Sequence, residues 1–388
     1  MVSTKTVSGE RFHVLYRLTG DEATAYARAT DICLEQTVEL PDDLVPNGLV
    51  RDHVVGRVET FEPLAPGYFQ STISFAVETV GRDLPQLLNV LFGNVSIKPG
   101  IRIERLVLPD SWLCTFQGPR FGRAGLRARL GIARRPLLCT PLKPMGLAAD
   151  QLGQLAFHFA LGGIDIIKDD HGLADQHFAP FRERVASCAQ AVARANHETG
   201  EQCIYMPNIT GPADEILGRA LFAKEHGAGG LLIAPGLTGL DTMRRLADDD
   251  RIALPIMSHP AFQGSFVTNP HGGVSHYTLF GQLARLAGAD ASIFPNFGGR
   301  FSFSRDECLG IADGTAAPMG TIKPIFPTPA GGMRLARARE MIEIYGHQVI
   351  LLIGGDLYRH GADLVTTGRK FREQVEHVME SYAGDAHE

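Results

Sequence analysis

Gly162-Gly163-Ile164-Asp165-Ile166-Ile167-Lys168-Asp169-Asp170-His171 is the stretch on which the reading of the fold turns. Its apolar run is short, rich in isoleucine and bounded by a glycine pair, the pattern of a central parallel strand. It then passes directly into a lysine, two carboxylates and an imidazole. Barrels and doubly wound sheets keep their sites at the carboxyl ends of such strands. Taken alone, the stretch could also be a solvated strand end with an incidental ion pair. Its neighbours favour chemistry.

Working outward, about eight such apolar runs follow Arg135, centred on Leu137-Leu138-Cys139, Ile164 to Ile167, Cys203 to Met206, Leu231 to Ile233, Pro255 to Met257, Ser292 to Phe294, Pro324 to Phe326 and Val349 to Leu352. Eight is the number a closed barrel needs. Amphipathic stripes lie between them, as at Leu152, Leu155, Ala156 and Phe159, or Phe181, Val185, Cys188 and Val192. The expected class is therefore α/β, with a (β/α)8 TIM barrel over residues 131–388. Before Arg135 the rhythm is absent. A helical stretch near Asp21 to Leu34, strand-like runs at Val54 to Val58 and Tyr68 to Val80, a helix over Leu84 to Leu91 and a strand over Ile101 to Leu108 predict a separate α+β, ferredoxin-like domain over residues 1–130. A chain of 388 residues exceeds what one core usually supports, so two domains are expected on size as well.

Composition narrows the function. A net charge of −6, with no basic run interleaved with aromatics, offers nothing to hold a phosphodiester backbone, so nucleic acid is not expected as a partner. The first ten residues lack the apolar core of a secretory leader and no segment stays apolar long enough to span a bilayer, which predicts a cytoplasmic protein with no membrane partner. The six cysteines are scattered, without a Cys-x-x-Cys pair, and read as core residues in a reducing compartment.

Strand ends of a barrel converge on one mouth, so the runs above predict which distant residues meet. Lys143 closes the first run, Lys168, Asp170 and His171 the second; Asn208 follows the third, His259 the fifth, Asn296 and Arg300 the sixth, Gly331-Gly332 the seventh and Gly354-Gly355 the eighth. Glycine pairs after the last two strands are what a barrel uses to bring backbone N–H groups against a phosphate, although glycine can equally serve only to turn the chain. Lys143, Lys168 and His259 can carry protons only if buried, since a solvated lysine stays protonated at neutral pH.

These residues together resemble the RuBisCO superfamily, over most of the chain. Lys168-Asp169-Asp170 is similar to the second-strand motif in which the lysine takes up CO2 as a carbamate and helps hold Mg2+. Lys143-Pro144 is similar to the first-strand motif whose lysine handles the substrate proton. Phe116-Gln117-Gly118-Pro119 resembles the connector between domains. Phe92-Gly93-Asn94-Val95 resembles the amino-domain loop whose asparagine enters a neighbouring subunit's site, and Glu35 aligns with that domain's catalytic glutamate. The resemblance implies that Lys168, Asp170 and His171 hold the metal, that Lys143, His259, Glu35, Asn94 and Arg300 serve catalysis, and that Asn208, Gly331, Gly332, Gly354 and Gly355 contact substrate. It also implies a homodimer with the site shared between subunits.

Departures from the family pattern direct the functional expectation. His171 stands where carboxylases carry a glutamate, exchanging an oxygen donor for nitrogen, so either Mg2+ is held more weakly or another divalent ion is favoured. Pro144 is followed by Met145 instead of a second lysine, Arg300 stands near the position of the mobile-loop lysine, and Pro260 replaces a phosphate-gripping arginine. The expected protein is a RuBisCO-like protein of the form IV type that does not fix CO2. It should act through an enediolate on a singly phosphorylated keto sugar or keto sugar acid. Decarboxylation of the 3-oxo-isoapionate 4-phosphate type is the first expectation, and the enolase and isomerase reactions on 2,3-diketo-5-methylthiopentyl 1-phosphate and 5-methylthioribulose 1-phosphate are the alternative. A Schiff-base aldolase using Lys143 or Lys168, and a non-catalytic sugar-phosphate sensor, remain as rivals from other classes.

Overall fold

Strict alternation governs the first part of the chain. In Arg11–Thr19 (β1) the side chains of Phe12, Val14, Tyr16 and Leu18 are buried and their neighbours are not, as a strand with one covered face requires. The computed structural model describes residues 7–361 and 363–385; the rest of the opening segment read for a leader, and the end of the polar tail, lie outside the described residues. After β1 come Glu22–Glu35 (α1), Arg57–Ala65 (β2), Tyr68–Ala76 (β3), Leu84–Phe92 (α2) and Ile101–Val107 (β4). Asp21 caps α1 by accepting from the Thr24 N–H, and Asp83 caps α2 through the Gln86 N–H. The four strands pair antiparallel in the order β4-β1-β3-β2, the ferredoxin-like arrangement, and the two-residue strand Gly273–Val274 adds in parallel to the outer edge of β4. The strand expected over Val54 to Val58 lies further along. Val50–Val54 instead coils, with the Asp52 and Val55 N–H groups donating to Gly48 O and Val50 O.

The second unit contains all eight expected strands: Leu137–Leu142, Ile166–Asp169, Ile204–Met206, Leu231–Ile233, Ile256–Ser258, Ala291–Pro295, Phe326–Ala330 and Ile350–Leu352. They run parallel in two four-stranded halves, the first holding strands eight, one, two and three and the second strands four, five, six and seven. A parallel bridge between Asn208 and Leu232 joins strands three and four, and Phe326 and Ala330 share an apolar cluster with Ile350 and Leu352 across strands seven and eight. This is the (β/α)8 barrel. Alternation within each strand sorts side chains into two cores: Leu137, Cys139, Ile166 and Met206 belong to the inner cluster, whereas Leu138, Leu142, Ile167 and Tyr205 pack with the helices through Leu152, Phe159 and Val192. Cys139 is packing, its thiol pushed up to about 12 by burial.

The boundary expected at residues 130/131 falls earlier. Compact units are residues 1–116 with 263–283 and 318–322, and residues 117–262 with 284–317 and 323–388. The helix Gly122–Leu130 belongs to the second unit because Leu126 and Leu130 complete the inner barrel cluster and Asp290 accepts hydrogen bonds from the Phe121 and Gly122 N–H groups. No helix among the described residues is long and apolar enough to cross a membrane.

Candidate active site at the carboxyl ends of the barrel strands

Register brings the site together. Leu142 of the first strand is level with Asp169 of the second, so Lys143 and Asp170 emerge side by side, and Lys143 Nζ lies 3.2 Å from Asp170 Oδ1. His171 Nδ1 lies 3.4 Å from the same oxygen, and its ring stacks on His259 at 4.5 Å between centroids and 11° between planes. The fifth strand delivers His259 to that point, its N–H donating to Ile233 O at 2.8 Å. Thus Lys143, Asp170, His171 and His259, from three strand ends, form one cluster, and Lys168 adds to its field.

Burial sets the electrostatics. Lys168 is 2% exposed and donates to Asp169 O at 2.9 Å; desolvation lowers its pKa, which favours the unprotonated amine. Burial alone would raise the Asp170 carboxyl, yet the hydrogen bond from His171 and the positive charges of Lys168 and Lys143 hold it well below the usual carboxylate range. His259 is pushed down to about 2, by burial first and then by Lys168 and His171. It is therefore a neutral imidazole, and because its Nδ1 accepts from the Ala261 N–H at 3.2 Å, its proton sits on Nε2. Lys143 and the Nε2–H of His259 are the donors here for an anionic substrate and for negative charge developing on it.

A divalent cation fits this donor set under one condition. Among the described residues no three His, Cys, Asp or Glu side chains are grouped to hold an ion. Asp170 and His171 supply one oxygen and one nitrogen, and a third donor, the second that is anionic, exists only if Lys168 takes up CO2. A dry amine with a lowered pKa suits that reaction, and the carbamate would turn the side chain into an anionic oxygen ligand.

Other expected site residues fall into four groups. Arg300 joins Gly331 and Gly332: its N–H donates to Gly331 O at 3.1 Å, and a Cβ on Gly332 would stand 2.9 Å from Gly299 Cα. Close backbone approach of loops six and seven therefore already requires Gly332, at φ +119°. Gly354 lies against Pro141 and close to Lys143, while a Cβ on Gly355 would meet open space. Glu35 and Asn94 meet within the first unit, where Asn94 Nδ2 donates to Glu35 Oε1 at 3.0 Å and, together with Lys98, lowers the Glu35 pKa. Asn208 is 2% exposed and its amide is fully engaged, donating to His171 O at 3.0 Å and Leu173 O at 2.9 Å and accepting from the Thr210 N–H.

Sequence reading passed over three residues that shape this mouth. Tyr358 accepts the Lys143 N–H at 3.2 Å, and its hydroxyl lies 3.3 Å from Pro141 O. Arg184 and Tyr205 both bond to Asp169. The available signal was the parity of the strand, which turns Asp169 away from the barrel axis and so demands partners on the helix side.

Comparison with known proteins agrees with this architecture. The model of the ribulose bisphosphate carboxylase large chain, catalytic domain, matches residues 122–386, and this chain belongs to that family. A protein of Rhodospirillum rubrum named 5-methylthioribulose-1-phosphate isomerase is 42% identical over 90% of this chain and 91% of its own length. A 2,3-diketo-5-methylthiopentyl-1-phosphate enolase of Geobacillus kaustophilus is 33% identical over 92% of this chain and 90% of its own. The crystal structure of a Rubisco-like protein from Rhodopseudomonas palustris superposes with a TM-score of 0.85 at 38% identity, covering 94% of this chain and 97% of that one. Within the family the chain falls in the non-carboxylating, form IV group of RuBisCO-like proteins.

Proposed function

We propose that this chain moves a proton on a singly phosphorylated ketose through a cis-enediolate, as an isomerase or enolase. The observation that carries this reading is the cluster of Lys143, Asp170 and neutral His259 beside a desolvated Lys168. Names of the relatives support this branch of the expectation ahead of decarboxylation, which shares the intermediate.

Lys143 takes or returns the proton at the carbon next to the carbonyl, and Asp170, 3.2 Å away, orients its ammonium between turns. His259 donates through Nε2–H to oxyanion character without titrating near neutral pH. Gly355, with open space before it, lets a phosphate approach the backbone after strand eight. Pro260 offers no charge where the family's arginine would grip a second phosphate, which suits a substrate with one. Lys168 as its carbamate, Asp170 and His171 would hold a divalent cation, Mg2+ or a softer ion. Bound there, the cation would supply charge stabilisation for vicinal oxygens. Glu35 and Asn94 would complete the site from a second subunit, making the homodimer the active unit.

The test is incubation with 5-methylthioribulose 1-phosphate, 2,3-diketo-5-methylthiopentyl 1-phosphate and a phosphorylated 3-oxo sugar acid in D2O with Mg2+ and bicarbonate, followed by NMR and by CO2 release. Isomerised product carrying solvent deuterium at one carbon, or enolised product that has lost one C–H and gained a deuteron only on oxygen, is expected. Gas evolved from the keto acid alone would move the assignment back to decarboxylation, and a covalent adduct trapped by borohydride would move it to Schiff-base chemistry. For the shared site, mixing a Lys168→Ala protein with an Asn94→Ala protein should restore partial activity; mixed dimers without rescue refute it.

A further inference from the structure

The second strand splits its Lys-Asp-Asp run by parity. Lys168 follows Ile166 toward the barrel interior, while Asp169 follows Ile167 toward the helices, where it is wholly buried. A bare carboxylate there would be costly, and it is answered three times: by Arg184 Nε at 3.1 Å, Tyr205 OH at 2.7 Å and the Asn208 N–H at 2.9 Å. The same partners reach onward into the segment after the strand. Arg184 donates to Ala174 O at 2.6 Å and Ala179 O at 2.8 Å, and the Asn208 amide to His171 O at 3.0 Å and Leu173 O at 2.9 Å.

We propose that Asp169, Arg184, Tyr205 and Asn208 are positioning residues, a buried set that fixes the backbone of residues 170–174 and thereby aims Asp170 and His171 into the mouth. Asn208 accordingly acts through His171 and does not touch substrate. Carbonyls of His171, Leu173, Ala174 and Ala179 are tied to two side chains, and both of those residues are tied to one carboxylate, so loosening any member releases the segment that carries the site. The set spans three elements distant in sequence, the second strand, the helix Phe181–Thr199 and the end of the third strand. The cation-binding consequence rests on the proposed function; the loop-fixing role does not.

Two mild variants test it, Tyr205→Phe, which removes one hydroxyl, and Asn208→Ala, each compared with the parent at a temperature where all unfold cooperatively well above the measurement. Hydrogen exchange read by mass spectrometry should speed up tenfold or more in peptides covering 170–180, with barrel peptides such as 349–353 unchanged. Titration with Mn2+ in bicarbonate, followed by electron paramagnetic resonance, should show affinity reduced by about tenfold or more. Asn208→Gln, able to donate again, should recover part of both. Unchanged exchange over 170–180 in both variants overturns the proposal, as does acceleration spread evenly over the whole barrel. A parent that binds no Mn2+ while the variants still open the segment sinks the cation reading and leaves the positioning role supported.

Discussion

Asp290 offers the sharpest test of the electrostatic reasoning, because it is remote from the chemistry and buried among backbone donors. Its Oδ1 accepts from the Phe121 N–H at 2.8 Å and the Gly122 N–H at 2.6 Å, and its Oδ2 from the Ile256 N–H at 2.9 Å. Burial nevertheless wins over these donors and raises the carboxyl from 3.8 to about 6. The folded state thus holds this proton more tightly than the unfolded chain does. Its contribution to stability is full below pH 3.8, is lost as pH rises through about 6, and is flat above that. The displacement corresponds to roughly 3 kcal/mol. Asparagine cannot titrate, and it keeps one acceptor for two of the three donors, turning its NH2 toward the Ile256 N–H at a cost of about 1–3 kcal/mol. Asp290→Asn should therefore be less stable than the parent near pH 4, and the gap should close or reverse by pH 7. Urea unfolding followed by far-UV circular dichroism at half-unit pH steps measures it. A gap that stays constant between pH 4 and 7, or that widens with pH, refutes the argument.

Four further outcomes are expected. Lys143→Met should leave the thermal midpoint within a few degrees of the parent and reduce deuterium incorporation into substrate by about 100-fold or more, read by NMR. Arg135 holds Asp165 through two bonds of 2.7 Å, with both side chains at or below 10% exposure, so Arg135→Met should cost about 3–5 kcal/mol in urea by leaving a buried carboxylate without its partner. Gly332→Ala, with φ +119° and a backbone atom 2.9 Å from the new Cβ, should lose about 1–3 kcal/mol in thermal unfolding. Gly355→Ala, facing open space, should lose almost none and yet raise KM for a phosphorylated substrate; an unchanged KM removes Gly355 from the phosphate site.

The barrel was legible because parallel strands covered on both faces become unbroken apolar runs, and because a cluster of charges straight after such a run is costly unless the strand end opens onto a polar mouth. Lys143, Lys168, Asp170, His171 and His259 could be placed together from strand order alone, since a barrel sends every carboxyl end to one mouth. What stayed hidden has two physical sources. β1 announces itself by alternation at Phe12, Val14, Tyr16 and Leu18, a signal that a search for continuous apolar runs passes over. Arg184 reads as the polar face of an amphipathic helix, and Asn208 as a donor free for ligand. In the folded chain the guanidinium is buried against Asp169, and the amide spends its hydrogens on the backbone. Long-range partnership of a single side chain leaves no periodic trace.

The short strand Gly273–Val274, paired to the outer edge of β4, belongs by sequence to the stretch between barrel strands five and six. A nascent chain emerging from the ribosome therefore exposes the bare rim of β4 until some 165 more residues have been made, roughly ten to thirty seconds at ordinary elongation rates. Unpaired rims recruit foreign strands. A truncation after Phe116 would leave out the residues 263–283 that belong to the same compact unit, and with them the strand that covers this rim.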